Sequence, residues 1–258
     1  MGTILVFDSG VGGLTVLRAI QALLPDVHYV YVADDAAFPY GAWDEDALSG
    51  HIVALFDGLI SAHKPDLAVI ACNTASTLVL PSLRARFDIP FVGTVPAIKP
   101  AAERTKSGLI SVLATPGTVR RDYTRALIRD FAGQCEVTLV ASKELAAMAE
   151  AKLAGKTVEP VAIGQEIAAA FVEKGGRRTD QIVLACTHYP WLLEEFQAAA
   201  PWAVDYIDPA PAIAKHVVRL LPAAARDGAG ANRIIFTGGR KIATSLCATL
   251  QPLGLIGT

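Results

Sequence analysis

The sequence predicts an α/β protein with two pseudosymmetric domains, each built on a doubly wound parallel sheet. Short apolar runs alternate with helical patterns along the chain, which is the order that parallel sheets require. The runs are rich in Ala, Val, Ile and Leu, as expected of strands that are buried on both faces. A series of strand, polar turn, helix, strand, helix and cysteine-ended strand occurs twice. We therefore expect a duplicated architecture with the functional site in the cleft between the domains.

The first predicted strand, residues 3–7, ends in a glycine-rich turn at residues 8–13. Its glycines and short polar side chains are typical of a tight turn. A helix is predicted over residues 14–24, where a proline closes it. Asp8 is therefore expected at a strand end and Ser9 near a helix start, where free backbone N–H groups can bind anions.

A second apolar strand, residues 28–33, ends in Asp34 and Asp35. An alternative for the turn at residues 8–13 is a dinucleotide fingerprint, in which one of these aspartates would bind a ribose. The third glycine of that fingerprint is replaced by Thr15, so the pattern is incomplete.

An irregular segment, residues 36–43, precedes a helix predicted over residues 44–63. Phe-Pro-Tyr-Gly stands at its centre and is typical of a loop with a fixed shape. Such a loop can offer the hydroxyl of Tyr40 and the backbone N–H of Gly41 to a ligand.

The next apolar run, residues 67–71, delivers Cys72 to the edge of the predicted sheet. Asn73 and Thr74 follow as small polar donors, and a helix is predicted over residues 77–87.

The second unit repeats this order. A strand at residues 108–113 leads into a turn with hydroxyls at residues 114–118, which includes Thr118. A helix, a strand at residues 136–140 and a further helix that carries Glu150 follow.

Another helix is predicted over residues 158–174, before the second cysteine strand at residues 182–185. This strand ends in Cys186, which Thr187 and His188 follow. The proline two positions later suits the first turn of a helix, because its missing N–H would be unpaired there anyway.

The duplication divides the chain into two predicted domains. The first comprises residues 1–97 together with residues 209–258, whose tail contains a strand at residues 234–236. The second comprises residues 98–208. Lys99 and Pro100 mark the expected crossing between them.

The composition excludes several classes of protein. Of 258 residues, 52% are hydrophobic, yet charges interrupt every apolar run before it reaches the roughly 18 to 20 residues of a membrane span. The formal net charge of −2 gives no reason to expect nucleic acid or an anionic membrane as a partner. The first residues resemble a strand and lack the basic segment of a secretion signal. We expect a cytoplasmic protein whose four cysteines are free thiols.

Cys72 and Cys186 are the candidate functional thiols, because each ends a strand and precedes a helix. At the carboxyl edge of a parallel sheet, helix N-termini present N–H groups to anionic ligands. Two cysteines so placed can face one small anion from opposite sides. Cys135 and Cys247 lie in apolar surroundings, and we expect them to be inert small hydrophobes.

Three ionisable side chains could set the protonation of these thiols. A free thiol has a pKa of about 8.5, so only a few per cent is thiolate at neutral pH. Asp8 or Glu150 could accept or orient a thiol proton, and His188 could do the same for Cys186.

One thiolate and one neutral thiol on opposite faces of an α-carbon could invert its configuration without a metal or an organic cofactor. One sulphur removes a proton, and the other delivers a proton to the opposite face. Because the α-proton of an amino acid is very weakly acidic, preorganised donors must stabilise a carbanion-like transition state. No Arg or Lys occurs in these motifs, so neutral donors and helix dipoles would bind carboxylates. The donors on offer come from Ser9, Asn73, Thr74, Thr118 and Thr187.

Zinc ligation is an alternative for Cys186 and His188, but no fourth ligand follows at a usual spacing. We therefore expect no metal. The other histidines show no metal-binding spacing and are interpreted as surface or core residues: His28, His51, His63 and His216.

Five motifs stand in order along the chain: Asp8-Ser9-Gly10-x-Gly12-Gly13, Pro39-Tyr40-Gly41, Ala71-Cys72-Asn73-Thr74, Ala114-Thr115-x-x-Thr118 and Cys186-Thr187-His188-Tyr189-Pro190. In order and spacing they resemble the motifs of the glutamate racemase family, within the aspartate/glutamate racemase superfamily. The resemblance runs from residue 3 to about residue 209, and the tail fits only in general character.

The resemblance implies a two-domain enzyme that interconverts L- and D-glutamate without a cofactor and supplies the D-isomer for bacterial peptidoglycan. It implies that Cys72 faces the D-isomer and Cys186 the L-isomer, and that Asp34 is an auxiliary acid. A homodimer is common in the family. The residues implied to contact substrate or tune the thiols are Asp8, Ser9, Tyr40, Gly41, Asn73, Thr74, Thr187 and His188.

Three features depart from the family pattern. Ala185 stands where glycine is usual, the helix that carries Glu150 is divergent, and Asp35 could fill the role of Asp34. Two other functions stay open. One is an aspartate racemase on the same frame, because pocket depth selects the substrate. The other is a non-catalytic two-lobed protein that binds a small anion, which would have no need of paired thiols.

Overall fold

The computed structural model describes residues 2–226, 231–239 and 242–257. The strands in these ranges are β1 (Thr3–Asp8), β2 (His28–Ala33), β3 (Leu67–Ile70), β4 (Phe91–Gly93), β5 (Leu109–Ala114), β6 (Glu136–Ala141), β7 (Glu173–Lys174), β8 (Arg177–Arg178), β9 (Gln181–Ala185), β10 (Asp205–Ile207), β11 (Arg233–Phe236) and β12 (Ile256–Gly257).

The helices in the same ranges are α1 (Leu14–Gln21), α2 (Glu45–His63), α3 (Asn73–Arg86), α4 (Ile98–Arg104), α5 (Pro116–Arg120), α6 (Asp122–Phe131), α7 (Leu145–Leu153), α8 (Pro160–Ile167), α9 (Leu193–Ala199), α10 (Ala210–Leu220) and α11 (Thr244–Leu250). Short 3-10 turns occur at Asp35–Ala37, Tyr40–Ala42, Ala168–Ala170, Tyr189–Leu192, Ala223–Ala225 and Gln251–Leu253.

Two parallel sheets form the centres of two domains, which confirms the predicted α/β architecture. The first sheet has the order β12-β11-β2-β1-β3-β4, and the second has the order β10-β9-β5-β6. Neighbouring strands in both sheets pair in parallel. In each sheet a cysteine strand lies beside the first strand of its unit: β3 beside β1, and β9 beside β5.

Alternation along β1 explains why its sheet is covered on both faces. Ile4 and Val6 pack into one apolar cluster with α1 and α10, whereas Leu5 and Phe7 pack into another with α2 and α3. Successive side chains of a strand point to opposite faces, so a continuous apolar run is what a doubly covered strand needs. The second sheet likewise separates two apolar clusters.

Side-chain caps stabilise the first turns of α2 and α5. Asp44 accepts hydrogen bonds from the N–H groups of Asp46 and Ala47 at the start of α2, and Thr115 accepts one from Thr118 N at the start of α5. Each satisfies donors that have no partner within the first helical turn.

The prediction of a helix over residues 158–174 is wrong for the second half of this range. α8 ends at Ile167, and after a 3-10 turn the chain forms the antiparallel pair β7 and β8. Gly175 and Gly176 join these strands with φ of 58° and 73°, a conformation that stops a helix and suits a tight hairpin turn.

One helix boundary also differs from the prediction. α3 begins at Asn73 rather than at residue 77, so Cys72 occupies the position just before the helix. Lys99 and Pro100, the predicted domain crossing, lie in the first turn of α4, where a proline is tolerated.

The proposed domain limits, residues 1–97 with 209–258 and residues 98–208, stay a prediction. Strands of the first sheet lie between residues 3 and 93 and between residues 233 and 257, and those of the second lie between residues 109 and 207. Residues 1, 227–230, 240–241 and 258 of the first predicted domain lie outside the described ranges. No helix in the described ranges is long and apolar enough to span a bilayer.

Candidate active site

Residues at the carboxyl ends of both sheets surround one small cavity. Its volume is about 20 Å³, roughly the space of a single water molecule. Both candidate thiols line it, and they come from different sheets. The wall consists of Ser9, Phe38, Pro39, Tyr40, Gly41, Cys72, Asn73, Thr74, Thr115, Ala146, Cys186, Thr187 and His188.

A second cavity, of about 400 Å³, adjoins the first and shares Pro39, Gly41, Thr115 and Ala146 with it. We call this second space the outer basin. The rest of its wall is Ala42, Pro116, Arg120, Ser142 and Lys143. The two cavities therefore have part of their walls in common.

Cys72 stands between β3 and α3, with 6% of its surface exposed. Burial raises the pKa of its thiol well above the usual range, and the charges of Asp8 and Cys186 raise it further. The Ala75 N–H and the Ser9 hydroxyl, whose Oγ lies 3.9 Å from Sγ, oppose this effect by hydrogen bonding. The balance leaves Cys72 a neutral thiol near pH 7.

Cys186 follows β9 directly and lies beside His188. Its Sγ is 3.9 Å from Nδ1 of the imidazole, and both residues are buried. On the other side of the ring, Nε2 lies 3.0 Å from Glu150 Oε1. A protonated His188 can therefore donate to the sulphur from one nitrogen and to the carboxylate from the other.

Burial alone would lower the pKa of His188. The hydrogen bonds to Cys186 and Glu150 and the charge of Asp8 outweigh burial and raise that pKa well above the usual range. Gly12 N lies 3.2 Å from Nε2, and it can donate there only when Nε2 carries no proton. The protonation of His188 thus decides which partner Nε2 keeps.

Glu150 links the second domain to the turn of the first. Its Oε1 accepts a hydrogen bond from Val11 N at 2.7 Å as well as contacting His188. The turn approaches so closely that a Cβ on Gly10 would overlap the Glu150 carboxylate, and one on Gly12 would overlap the imidazole. A side chain at either position would therefore displace Glu150 or His188 from its present place.

Asp8 lies at the end of β1 and is fully buried. Its carboxylate accepts hydrogen bonds from Ser9 N at 2.8 Å, Gly13 N at 2.6 Å and the Thr187 hydroxyl at 3.3 Å. Burial raises the pKa of Asp8 to about 6, against the lowering effects of His188 and the two backbone N–H groups. Asp8 can therefore exchange a proton near neutral pH.

Asn73 is the clearest candidate for a ligand-binding amide. It is 2% exposed and lines the cavity, and neither its Nδ2 nor its Oδ1 has a hydrogen-bond partner among the described residues. An unsatisfied buried amide costs about 1–3 kcal/mol, which a bound polar ligand would recover.

Hydroxyls from both domains meet beside Asn73. Thr74 Oγ1 lies 2.9 Å from Thr115 Oγ1 and 3.5 Å from Thr118 Oγ1. Thr115 lines the cavity, whereas Thr118 lies behind these two residues and outside the wall. Thr118, predicted from the sequence to bind substrate, is therefore placed to act through its neighbours.

Tyr40 lines the cavity, and its hydroxyl is bound within the protein. The hydroxyl donates to Asp34 Oδ2 at 2.5 Å, so this proton is not available to a ligand. Asp34 is 1% exposed and lies outside the wall. Asp35 instead accepts from Gly238 N at 2.7 Å, so Asp34 is the aspartate connected to the site.

Several residues near the site were not predicted from the sequence. Phe38 places its ring 5.6 Å from that of His188, and Ala146 and Thr115 complete the wall. Thr115 follows β5 directly, and this position at a strand end is the sequence feature that could have identified it. His51, interpreted as a surface or core residue, lies 2.6 Å from Asp34.

The structure therefore brings the predicted Asp8, Cys72, Glu150, Cys186 and His188 together. Among the residues that the structure describes, no three His, Cys, Asp or Glu side chains form a group that could hold a metal ion.

Comparison with known proteins gives one consistent result. A family model described as Asp/Glu/Hydantoin racemase matches residues 9–217. The chain is 62% identical over 219 residues to the glutamate racemase of Brucella anthropi, which covers 84% of this chain and 79% of that protein. It is 59% identical over 225 residues to the glutamate racemase of Brucella ovis, with coverage of 87% and 81%.

Comparison with solved structures gives the same family. Escherichia coli glutamate racemase, in complex with L-glutamate and activator UDP-MurNAc-ala, superposes with a TM-score of 0.91 at 42% identity, covering 99% of this chain and 96% of that one. Thermus thermophilus glutamate racemase, in complex with beta-chloro-D-alanine, gives a TM-score of 0.73 at 29% identity, with coverage of 96% and 93%.

Proposed function

Since the chain belongs to the Asp/Glu/hydantoin racemase family and is an isomerase, we propose that it interconverts L- and D-glutamate by a two-base mechanism. The observation that carries the proposal is the pair of buried thiols, Cys72 and Cys186, which come from different sheets and line one cavity. Glutamate is proposed because relatives at 58–62% identity are glutamate racemases.

Each turnover moves two protons. From L- to D-glutamate, the Cys186 thiolate removes the α-proton and becomes a thiol, which leaves the electron pair on Cα. The Cys72 thiol delivers its proton to the opposite face and becomes a thiolate. Cα is inverted, and the two sulphurs have exchanged protonation states. The reverse reaction runs the same steps in the opposite order.

The surroundings of the thiols support this assignment. The raised pKa of Cys72 favours its neutral form, which is the acid that the L-to-D direction needs. His188 is placed to exchange a proton with Cys186, and Glu150 stabilises the imidazolium. Asp8, whose charge acts on Cys72, is proposed to exchange a proton on the other side of the cavity.

Neutral donors are proposed to bind the two carboxylates of glutamate. None of the wall residues, all in the described part of the chain, is Arg or Lys. The unpartnered amide of Asn73 and the hydroxyls of Ser9 and Thr74 are available instead, with the N-terminus of α3 behind them. Such preorganised dipoles would stabilise the carbanion-like transition state without competing water.

Substrate entry is proposed to require that the domains separate. A cavity of about 20 Å³ has room for roughly one water and not for glutamate. The outer basin provides the route, and reclosure around the substrate would exclude solvent from the carbanion.

Similarity to the relatives also supports three proposals about the cellular role of the protein and its assembly. The D-glutamate produced would supply peptidoglycan synthesis, the enzyme would act in the cytoplasm, and the active form would be a homodimer.

Exchange of solvent deuterium into Cα tests the function. Without added cofactor, we expect label to enter L- and D-glutamate and racemisation to accompany it. Label in aspartate alone would replace this proposal by an aspartate racemase, and label in none of these amino acids would leave a non-catalytic anion binder.

Single cysteine variants test the mechanism. Cys72→Ser and Cys186→Ser should each abolish racemisation, because one face of Cα loses its proton carrier. Each should still exchange one enantiomer only: L-glutamate for Cys72→Ser and D-glutamate for Cys186→Ser. Cys135→Ser, away from the cavity, is the matched control. Full racemisation by either active-site variant would contradict the two-base scheme.

A further inference from the structure

Asp34 is the centre of a hydrogen-bonded cluster behind the cavity wall. Tyr40 and His51 reach its Oδ2 at 2.5 and 2.6 Å, and the Thr237 hydroxyl donates to its Oδ1 at 2.5 Å. The carboxylate is 1% exposed, so these side chains take the place of water. The four residues come from four separate segments of the chain: the end of β2, a 3-10 turn, α2 and the residue after β11.

Tyr40 connects this cluster to the cavity. Tyr40 is 2% exposed and lines the same cavity as Cys72, while its hydroxyl donates to Asp34. Burial and the neighbouring charge of Asp34 raise the pKa of Tyr40 far above its usual range, so it stays a donor. The 3-10 turn that begins at Tyr40 also carries Gly41 to the wall, against Thr115 of the other domain.

His51 holds the cluster from the outer side. It lies on α2, its side chain is 33% exposed, and its ring packs against Trp43 with centroids 5.3 Å apart. Trp43 follows the turn and donates from Nε1 to Ala37 O at 2.9 Å. The imidazole is therefore in contact with both Asp34 and the segment that contains Tyr40.

We propose that His51 is a positioning residue: it fixes Asp34, which fixes the Tyr40 hydroxyl and so sets the turn that contacts the substrate. His51 touches neither thiol nor any wall atom that reacts. The expected change in glutamate kinetics rests on the proposed function, because glutamate turnover is what the assay measures.

The expected signature is a change in KM. The turn would contact the bound substrate in the same way before and during proton transfer, and loss of such uniform binding raises KM with kcat unchanged. His51→Leu should raise KM for glutamate about tenfold and leave kcat within about threefold, since displaced positioning groups commonly cost one or two orders of magnitude. A purely structural role would reduce the folded fraction, which lowers apparent kcat and leaves KM unchanged.

Two further variants make the test specific. His51→Gln keeps an N–H donor near the position of Nε2, and it should restore KM to within about threefold of the wild type. His63→Leu, on the last turn of the same helix, removes a histidine that has no hydrogen bond to the cluster, and its KM should equal that of the wild type. Unchanged KM in His51→Leu, or equal defects in the Leu and Gln variants, would overturn the proposal.

A readout without turnover separates this inference from the proposed function. With ¹³C-labelled tyrosine, the Cζ resonance of Tyr40 reports its short hydrogen bond to Asp34, and Tyr40→Phe assigns the signal. His51→Leu should shift this resonance, and His51→Gln and His63→Leu should leave it in place. A Tyr40 resonance that does not move in His51→Leu refutes the positioning role even if the wild type does not racemise glutamate.

Discussion

Replacement of Asp8 by asparagine should change how stability depends on pH. Burial is the main cause that raises the pKa of the Asp8 carboxyl from its ordinary 3.8 to about 6. Because the native pKa lies above the unfolded one, the native state holds the proton more tightly. The stability that this proton contributes is complete below pH 3.8 and is lost as the pH rises through about 6.

The size of the effect follows from the two pKa values. At about 1.36 kcal/mol for each pH unit, the rise from 3.8 to about 6 corresponds to about 3 kcal/mol. Roughly half of this, about 1.4 kcal/mol, falls between pH 5 and pH 8. The amide side chain in Asp8→Asn cannot ionise, so the variant escapes this loss, whereas its weaker acceptance from Gly13 N is a cost that does not depend on pH.

The assay compares urea unfolding of the wild type and Asp8→Asn across that range. The free energy of unfolding of the variant, minus that of the wild type, should rise by about 1.4 kcal/mol from pH 5 to pH 8. Asp26→Asn, at an exposed position, is the matched control. A difference that stays flat or falls with pH would refute the raised pKa of Asp8. Racemase activity should fall in the same variant, because the proposed proton acceptor is gone.

Three further predictions concern the neighbours of the thiols. Gly12→Ala should displace the His188 imidazole and lower kcat about 10–100-fold, whereas Gly58→Ala, in open space on α2, should leave kcat unchanged; equal kcat values would exclude the steric account. Glu150→Gln should lower the pKa of His188, which an NMR titration of its ring protons measures; an unmoved midpoint would show that Glu150 does not stabilise the imidazolium. Asn73→Ala should raise KM for glutamate without lowering the melting temperature, because the amide has no partner to lose; a large drop in melting temperature would argue for a structural amide.

The sequence predicted the residues at strand ends well, because sheet geometry converts order into proximity. Asp8 ends β1 and Cys72 comes shortly after the adjacent strand β3, whereas Cys186 directly follows β9 of the other sheet. The carboxyl ends of parallel neighbours must lie side by side, so no tertiary information was needed beyond the alternation of strands and helices.

Residues outside that rule could not be placed from sequence. Whether Thr115 or Thr118 faces the cavity depends on the first turn of α5, and whether Asp34 faces solvent or Tyr40 depends on side chains far along the chain, such as Thr237. His51 lies on a helix that shows only a broad apolar pattern, and its contact with Asp34 follows from how that helix packs. The hairpin after α8 was missed because its two glycines allow several conformations.

Two hydrogen bonds join the turn at residues 9–13 to the opposite domain. Val11 N donates to Glu150, and the Trp191 indole N–H donates to Gly12 O at 3.1 Å. The atoms that hold the lobes together are thus neighbours of those that orient the imidazole beside Cys186. Because Glu150 binds both Val11 N and the His188 imidazole, any change that breaks this contact between the domains would also alter the position of the ring beside Cys186.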